Sequence, residues 1–153
     1  MSDFKELTWE QVKPVWDTYL WPGRDSEPVT SMMYIGGYNL HFKAEEPYFI
    51  GFVEVDEVVA VNSYVKTDVP RPEGYEWRSR GLWVHPRYRG CGHATELLRY
   101  MIKHVWDMGG GMIWTMPRRG ALEVYESVGF EKTTEWKKQD WGVNCYARKE
   151  LLH

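Results

Sequence analysis

Arg87-Tyr88-Arg89-Gly90-Cys91-Gly92-His93-Ala94 stands between a strand-like run and the most regular helix pattern in the chain. Downstream, Ala94, Leu97, Leu98, Met101, Ile102, Val105 and Trp106 recur at i, i+3, i+4 and i+7, the spacing of one helix face, and Gly109-Gly110-Gly111 ends it. Upstream, Tyr75 to Val84 reads as a strand stopped by His85-Pro86. A turn so placed is suited to an anion. Glycine lets the backbone approach a phosphate closely, the first helical turn leaves N–H groups without partners, and two arginines add charge. The turn lacks the third glycine and downstream acidic partner of a dinucleotide-binding loop. It is not a Walker A loop either, because the next lysine, Lys103, falls well inside the helix.

Working outward, the flanks alternate strand and helix signals. Phe4 to Leu7 reads as a short strand, and Thr8 and Gln11 form a capping-box pattern for a helix carrying Trp9, Val12, Val15, Trp16, Tyr19 and Leu20. Pro22-Gly23 ends that helix, and the stretch to about Glu46 reads as irregular, with one short helix near Ser31 to Tyr34. Tyr48 to Val55 and Val58 to Thr67, joined at Asp56-Glu57, predict a β-hairpin, and Pro70 to Gly74 a loop. Beyond the central helix, Met112 to Thr115 reads as a buried strand and Ala121 to Val128 as a short helix closed by Gly129. Phe130 to Lys138 and Trp141 to Arg148 are expected to pair as a second hairpin.

The chain has 153 residues, 43% of them hydrophobic, which suits one domain able to bury about two thirds of its unfolded surface. A net charge of −3 with 27% charged residues argues against a general nucleic-acid binder or a disordered tail. Apolar runs are short and Met1 to Glu6 has no signal-peptide pattern, so a cytoplasmic protein without membrane association is expected. Cys91 and Cys145 cannot build a disulfide framework, and five scattered histidines show no ligand spacing, so no metal is expected.

The segment from Leu82-Trp83-Val84 through Arg87 to Ala94, followed in order by Ala121, Tyr125 and Gly129-Phe130, resembles the GNAT superfamily of acyl-CoA-dependent N-acetyltransferases. The first block is similar to that family's Arg/Gln-x-x-Gly-x-Gly/Ala cofactor motif, the second to its Ala-x-x-x-Tyr-x-x-x-Gly-Phe segment. The resemblance implies an α/β fold with a mixed, largely antiparallel central sheet, flanking helices and a splayed strand pair for acyl-CoA, spanning residues 1–153 as a single domain. It further implies N-acetyl transfer from acetyl-CoA to a primary amine by direct attack in a ternary complex.

Site residues follow from the same resemblance. Leu82, Trp83 and Val84 would present backbone groups to the pantetheine arm, with the Leu82 N–H at the carbonyl oxygen. Arg87, Arg89, Gly90, Cys91, Gly92, His93 and Ala94 would hold the pyrophosphate, and Tyr125 would protonate the leaving sulfur. Some relatives carry a glutamate base where this chain has Arg78, and Glu76, on the same strand face by alternation, is the candidate substitute. Arg118 occupies a position where many relatives carry asparagine, and Arg118-Arg119 is suited to phosphates or an acidic acceptor group. An aromatic-lined pocket around Trp16, Trp21, Tyr34, Tyr38, Phe42 and Tyr48, with Asp25, Glu27, Glu45 or Glu46, would suit a cationic amine. The C-terminal strands offer a homodimer interface. A non-catalytic acyl-CoA binder and a phosphate-loop nucleotide or nucleic-acid binder are the alternatives, the second disfavoured by the acidic charge.

Overall fold

The Tyr48 to Thr67 segment forms the expected hairpin, because Val55 and Asp56 take positive φ values of 48° and 62°, the twist a two-residue turn requires. It joins β4 (Tyr48–Glu54) to β5 (Glu57–Lys66). The computed structural model describes residues 3–23, 30–33, 40–43, 46–67, 76–139 and 142–152. The predicted loop from Pro70 to Gly74 lies outside them.

Thr8 closes the expected capping box, its N–H donating to Gln11 Oε1 at 2.8 Å while Gln11 N–H donates to Thr8 Oγ1 at 3.3 Å. Helix α1 (Trp9–Val15) follows β1 (Asp3–Leu7), and Pro14 removes one donor from its ladder. The chain then widens into a π-helical turn over Trp16–Leu20. The predicted helix near Ser31 to Tyr34 is corrected: Thr30–Met33 is strand β2, paired antiparallel with β3 (Leu40–Lys43), while Tyr34 lies outside the described residues. Local propensity in so short a segment is weak, and cross-strand hydrogen bonding overrides it.

β6 (Trp77–Val84), α2 (His93–Asp107), β7 (Met112–Thr115) and α3 (Arg119–Ser127) follow in the predicted order. Short strands β8 (Glu131–Lys132), β9 (Lys137–Gln139), β10 (Gly142–Asn144) and β11 (Ala147–Glu150) complete the chain. The two C-terminal runs do pair, β9 with β10 and β8 with β11. In addition β11 enters the main sheet beside β7, giving the order β1-β4-β5-β6-β7-β11-β8. The β6–β7 pair is parallel and the others are antiparallel. A mixed, largely antiparallel sheet is therefore the architecture, as expected.

Both sheet faces are covered. Leu97, Leu98, Met101 and Val105 of α2 are fully buried against Ile50, Ala60 and Ile113, each side chain contributing about 2 kcal/mol. Trp106, at the margin of the predicted stripe, remains 39% exposed. On the opposite face Val12, Val15 and Trp16 pack on Phe49, Val53 and Val61. These layers fix the position of β6 from both sides, and β6 carries the site.

Candidate active site

β6 and β7 pair over three positions, Trp77 with Ile113, Arg78 with Trp114 and Ser79 with Thr115. Past Ser79 the two strands part. Gly81 causes this locally: its φ is +78°, and the β5–β6 register shifts between Val61 and Ser63 opposite it. A Cβ at Gly81 would stand 2.9 Å from the Trp16 indole nitrogen, so a residue without one is needed. The Gly81 to Val84 backbone thereby faces the gap and not a neighbouring strand on β7. This is the splayed strand pair.

The gap widens into a cleft of about 900 Å³, within the size range of small-molecule sites. One end is the turn after β6. Gly90 and Gly92 hold φ values of +80° and +86°, with open space where a Cβ would project. Gly92 precedes α2 with no side-chain cap, and the first intrahelical bond runs from Glu96 N–H to Gly92 O, so the N–H groups of His93, Ala94 and Thr95 are available. These features fit a pyrophosphate. Arg89 lines this end, and its Nε donates to Val84 O at 3.0 Å, across the backbone that would meet the pantetheine arm.

Tyr125 of α3 reaches the middle of the cleft and is 2% exposed. Its hydroxyl lies 2.8 Å from Ser79 Oγ, and Ser79 Oγ donates its own proton to Asn62 Oδ1 at 3.0 Å. Ser79 has one proton to give, so Tyr125 is the donor in the first bond. Burial pushes the Tyr125 phenol up, opposed by the Ser79 and Thr115 hydroxyls beside it and by the charge of Arg78. The phenol is protonated at neutral pH, the state a proton donor needs.

At the other end, Arg78, Met116 and Asn144 line the wall with Arg80, Arg118 and Trp21. Arg78 lies 5.0 Å from the Trp114 ring centre and its Nη2 is 3.7 Å from Met116 Sδ. Burial pushes its guanidinium down to about 10, which leaves it charged at neutral pH. Arg80 lies over the rings of Trp16 and Trp21, 4.9 and 5.0 Å from their centres. Arg118 donates to Leu20 O at 2.7 Å and so ties the π-helical turn to this wall.

Of the expected residues, Leu82, Trp83, Val84, Arg89, Gly90, Gly92, His93, Ala94 and Tyr125 line the one cleft. Arg87 and the exposed Cys91 belong to the turn but not to the cleft wall. Glu76 stands apart: it precedes β6, and its Oε1 accepts from Gly111 N–H at 2.8 Å, bracing the entry to β7. It lies at the end of β6 where β7 is still paired, away from the parted strands, and its carboxylate is held by Gly111. Arg119 turns to Trp136 instead, 4.5 Å from the ring centre. Trp16 is a core residue, Glu46 is exposed away from the cleft, and Asp25, Glu27, Tyr34, Tyr38 and Glu45 lie outside the described residues. Ser79, Asn62, Met116 and Asn144 escaped the sequence reading. Ser79 alone carries a signal, a polar residue between Trp77 and Gly81 on the inward side of β6.

Among the described residues no group of three His, Cys, Asp or Glu side chains is placed to hold a metal, and no helix is long and apolar enough to cross a membrane. No curated protein matches the chain. Solved structures do. An aminoglycoside 6'-N-acetyltransferase in complex with coenzyme A is 14% identical, with a TM-score of 0.66 over 99% of this chain and 98% of that one. Escherichia coli ElaA is 16% identical at a TM-score of 0.69, over 97% and 100%. An IAA acetyltransferase from Bacillus cereus is 15% identical at 0.66, over 99% and 100%. At these identities the likeness concerns the fold. The family model for the acetyltransferase (GNAT) family matches residues 7–130. With the splayed strands and the glycine turn set on one cleft, this chain belongs to the acetyltransferase (GNAT) family.

Proposed function

We propose that this chain, as a single domain, transfers an acetyl group from acetyl-CoA to a primary amine by direct attack in a ternary complex. The observation that carries the reading is that one continuous cleft joins the glycine turn, the parted β6 backbone and the Tyr125 hydroxyl. The turn from Arg89 to Ala94 binds the pyrophosphate through backbone N–H groups, and Arg89 releases Val84 O to the pantetheine arm. Acetyl-CoA supplies an activated acyl group whose C–S bond breaks as the amine nitrogen bonds to the carbonyl carbon, the electron pair leaving on sulfur.

The Leu82 N–H donates to the carbonyl oxygen as charge builds there. Tyr125 gives its proton to the departing sulfur and recovers, through solvent, the proton shed by the nitrogen. The charge of Arg78 steadies the phenolate in between and disfavours an ammonium nearby, which favours the neutral, attacking amine. Glu76 takes no part in this reading. The exposed Cys91 thiol suits a reducing, cytoplasmic setting.

Calorimetry with acetyl-CoA and an assay of amine-dependent thiol release test the reading. Failure of the folded protein to bind acetyl-CoA overturns it. Arg78 at the family's frequent glutamate position favours a second reading, a non-catalytic acyl-CoA binder. That reading expects tight binding and no thiol release with any amine.

A further inference from the structure

The acceptor half of the cleft has an unusual polarity. The described residues lining the cleft include no Asp or Glu. Arg78 is the sharpest case. A guanidinium offers five N–H donors, and the acceptor that Arg78 has is a thioether sulfur at 3.7 Å; its Nε is buried without a hydrogen-bond partner. No carboxylate among the described residues pairs with it. The Trp114 ring lies 5.0 Å from the guanidinium carbon, and a planar carboxylate is the partner that the unmet N–H groups of such a fork match best.

Asn144, 3% exposed, is the second observation. Its Nδ2 donates to Met116 O at 2.8 Å, and a carbonyl can only accept, so the amide orientation is settled. Oδ1 is then an acceptor, and it is buried with no partner. Met116 touches Arg78 through its sulfur and Asn144 through its carbonyl, so an unmet cation and an unmet acceptor stand within one residue's span. Arg78 also adjoins Ser79, the partner of the Tyr125 hydroxyl. A buried polar group without a partner favours any ligand that supplies one.

Resting on the acetyltransferase reading above, we infer that the acceptor is a small amine bearing a carboxylate, the carboxylate received by Arg78 and an amine N–H by Asn144 Oδ1. Pairing with Arg78 neutralises the carboxylate, whose field otherwise holds the neighbouring amine protonated. A polyamine finds no carboxylate among the described wall residues and meets the fixed charge of Arg78.

The test uses matched pairs, free amino acids against their carboxamides, with 1,4-diaminobutane as a cationic arm, assayed by thiol release from acetyl-CoA. The free acids are expected to exceed their carboxamides in kcat/KM by roughly tenfold to a hundredfold, the range of one charged hydrogen bond, mainly through KM. Arg78→Gln is expected to remove that preference and Arg78→Lys to restore part of it, with acetyl-CoA affinity and thermal melting as controls on the fold. Preference for carboxamides or the diamine overturns the inference while leaving acetyl transfer standing. So does a preference that survives Arg78→Gln. Acetyl-CoA binding without thiol release from any amine in the panel overturns this inference, and absence of acetyl-CoA binding overturns the transferase reading as well.

Discussion

The two ends of the cleft are built by opposite means. The turn from Arg89 to Ala94 is a run of consecutive residues that presents backbone N–H groups, exposed glycines and the start of one helix. The far wall combines Arg78 from β6, Met116 beyond β7 and Asn144 from β10, and what it presents is side chains, with Met116 and Asn144 buried and Arg78 partly so. Backbone recognition needs a local conformation, which neighbouring residues dictate. Side-chain recognition needs distant elements to meet, which the whole sheet dictates.

Tyr125 lies where the two ends join, and its replacement is the strongest test of their separateness. Tyr125→Phe is expected to lower kcat about a hundredfold while acetyl-CoA affinity in calorimetry stays nearly constant. A parallel loss of affinity would mean that the ring, and not its hydroxyl, matters to the cofactor end. Next in size, Gly90→Asp with Gly92→Asp places two negative charges at the turn. Acetyl-CoA binding by the folded variant is expected to weaken about thirtyfold, at about 1 kcal/mol per charge, and the melting temperature to fall as well, because both positions hold a left-handed φ that strains any residue with a Cβ even in open space.

Gly81 sharpens the comparison from the other side, since it parts the strands that serve both ends. Gly81→Ala is expected to cost about 1–2 kcal/mol of stability from the left-handed backbone alone, read by urea unfolding, with further loss if the Trp16 ring cannot yield. Binding at the cofactor end and turnover should then fall together. A variant as stable as the parent would show that β6 does not need its bulge.

The smallest effect near neutral pH, and one that grows with alkalinity, concerns the buried phenols. Tyr64 and Tyr125 both have their pKa raised by burial. The unfolded chain therefore releases these protons first as pH rises past the ordinary tyrosine value. Stability is expected to be level through neutral pH and to fall above that value, and Tyr125→Phe should flatten part of the decline. A decline of unchanged slope in the variant would assign it to other groups. The same raised pKa keeps Tyr125 protonated, so no alkaline fall in turnover from this residue is expected below the ordinary tyrosine range.

Much of the fold was legible because its signals are local. The α2 stripe, the Thr8–Gln11 capping box and the Tyr48 to Thr67 hairpin each depend on residues within a few positions of one another. The β2 strand was not legible, since only pairing with β3 makes it a strand. Nor was the place of β11 between β7 and β8, which joins residues some thirty positions apart. Glu76 illustrates the same boundary within the site. Alternation placed it with Arg78, yet at that end of β6 the strands are still paired and the carboxylate accepts from Gly111 N–H.

By itself the sequence determined the glycine turn, the helix that opens behind it and, through that turn and the Ala121 to Phe130 segment, the family, because conformational freedom at Gly90 and Gly92 and unpaired N–H groups at a helix start are properties of adjacent residues. Only the tertiary structure decided which side chains stand at the far wall of the cleft. Arg78, Met116 and Asn144 carry no common pattern along the chain, and it is the ordering of β6, β7 and β10 around one cleft that turns three scattered residues into a polar wall.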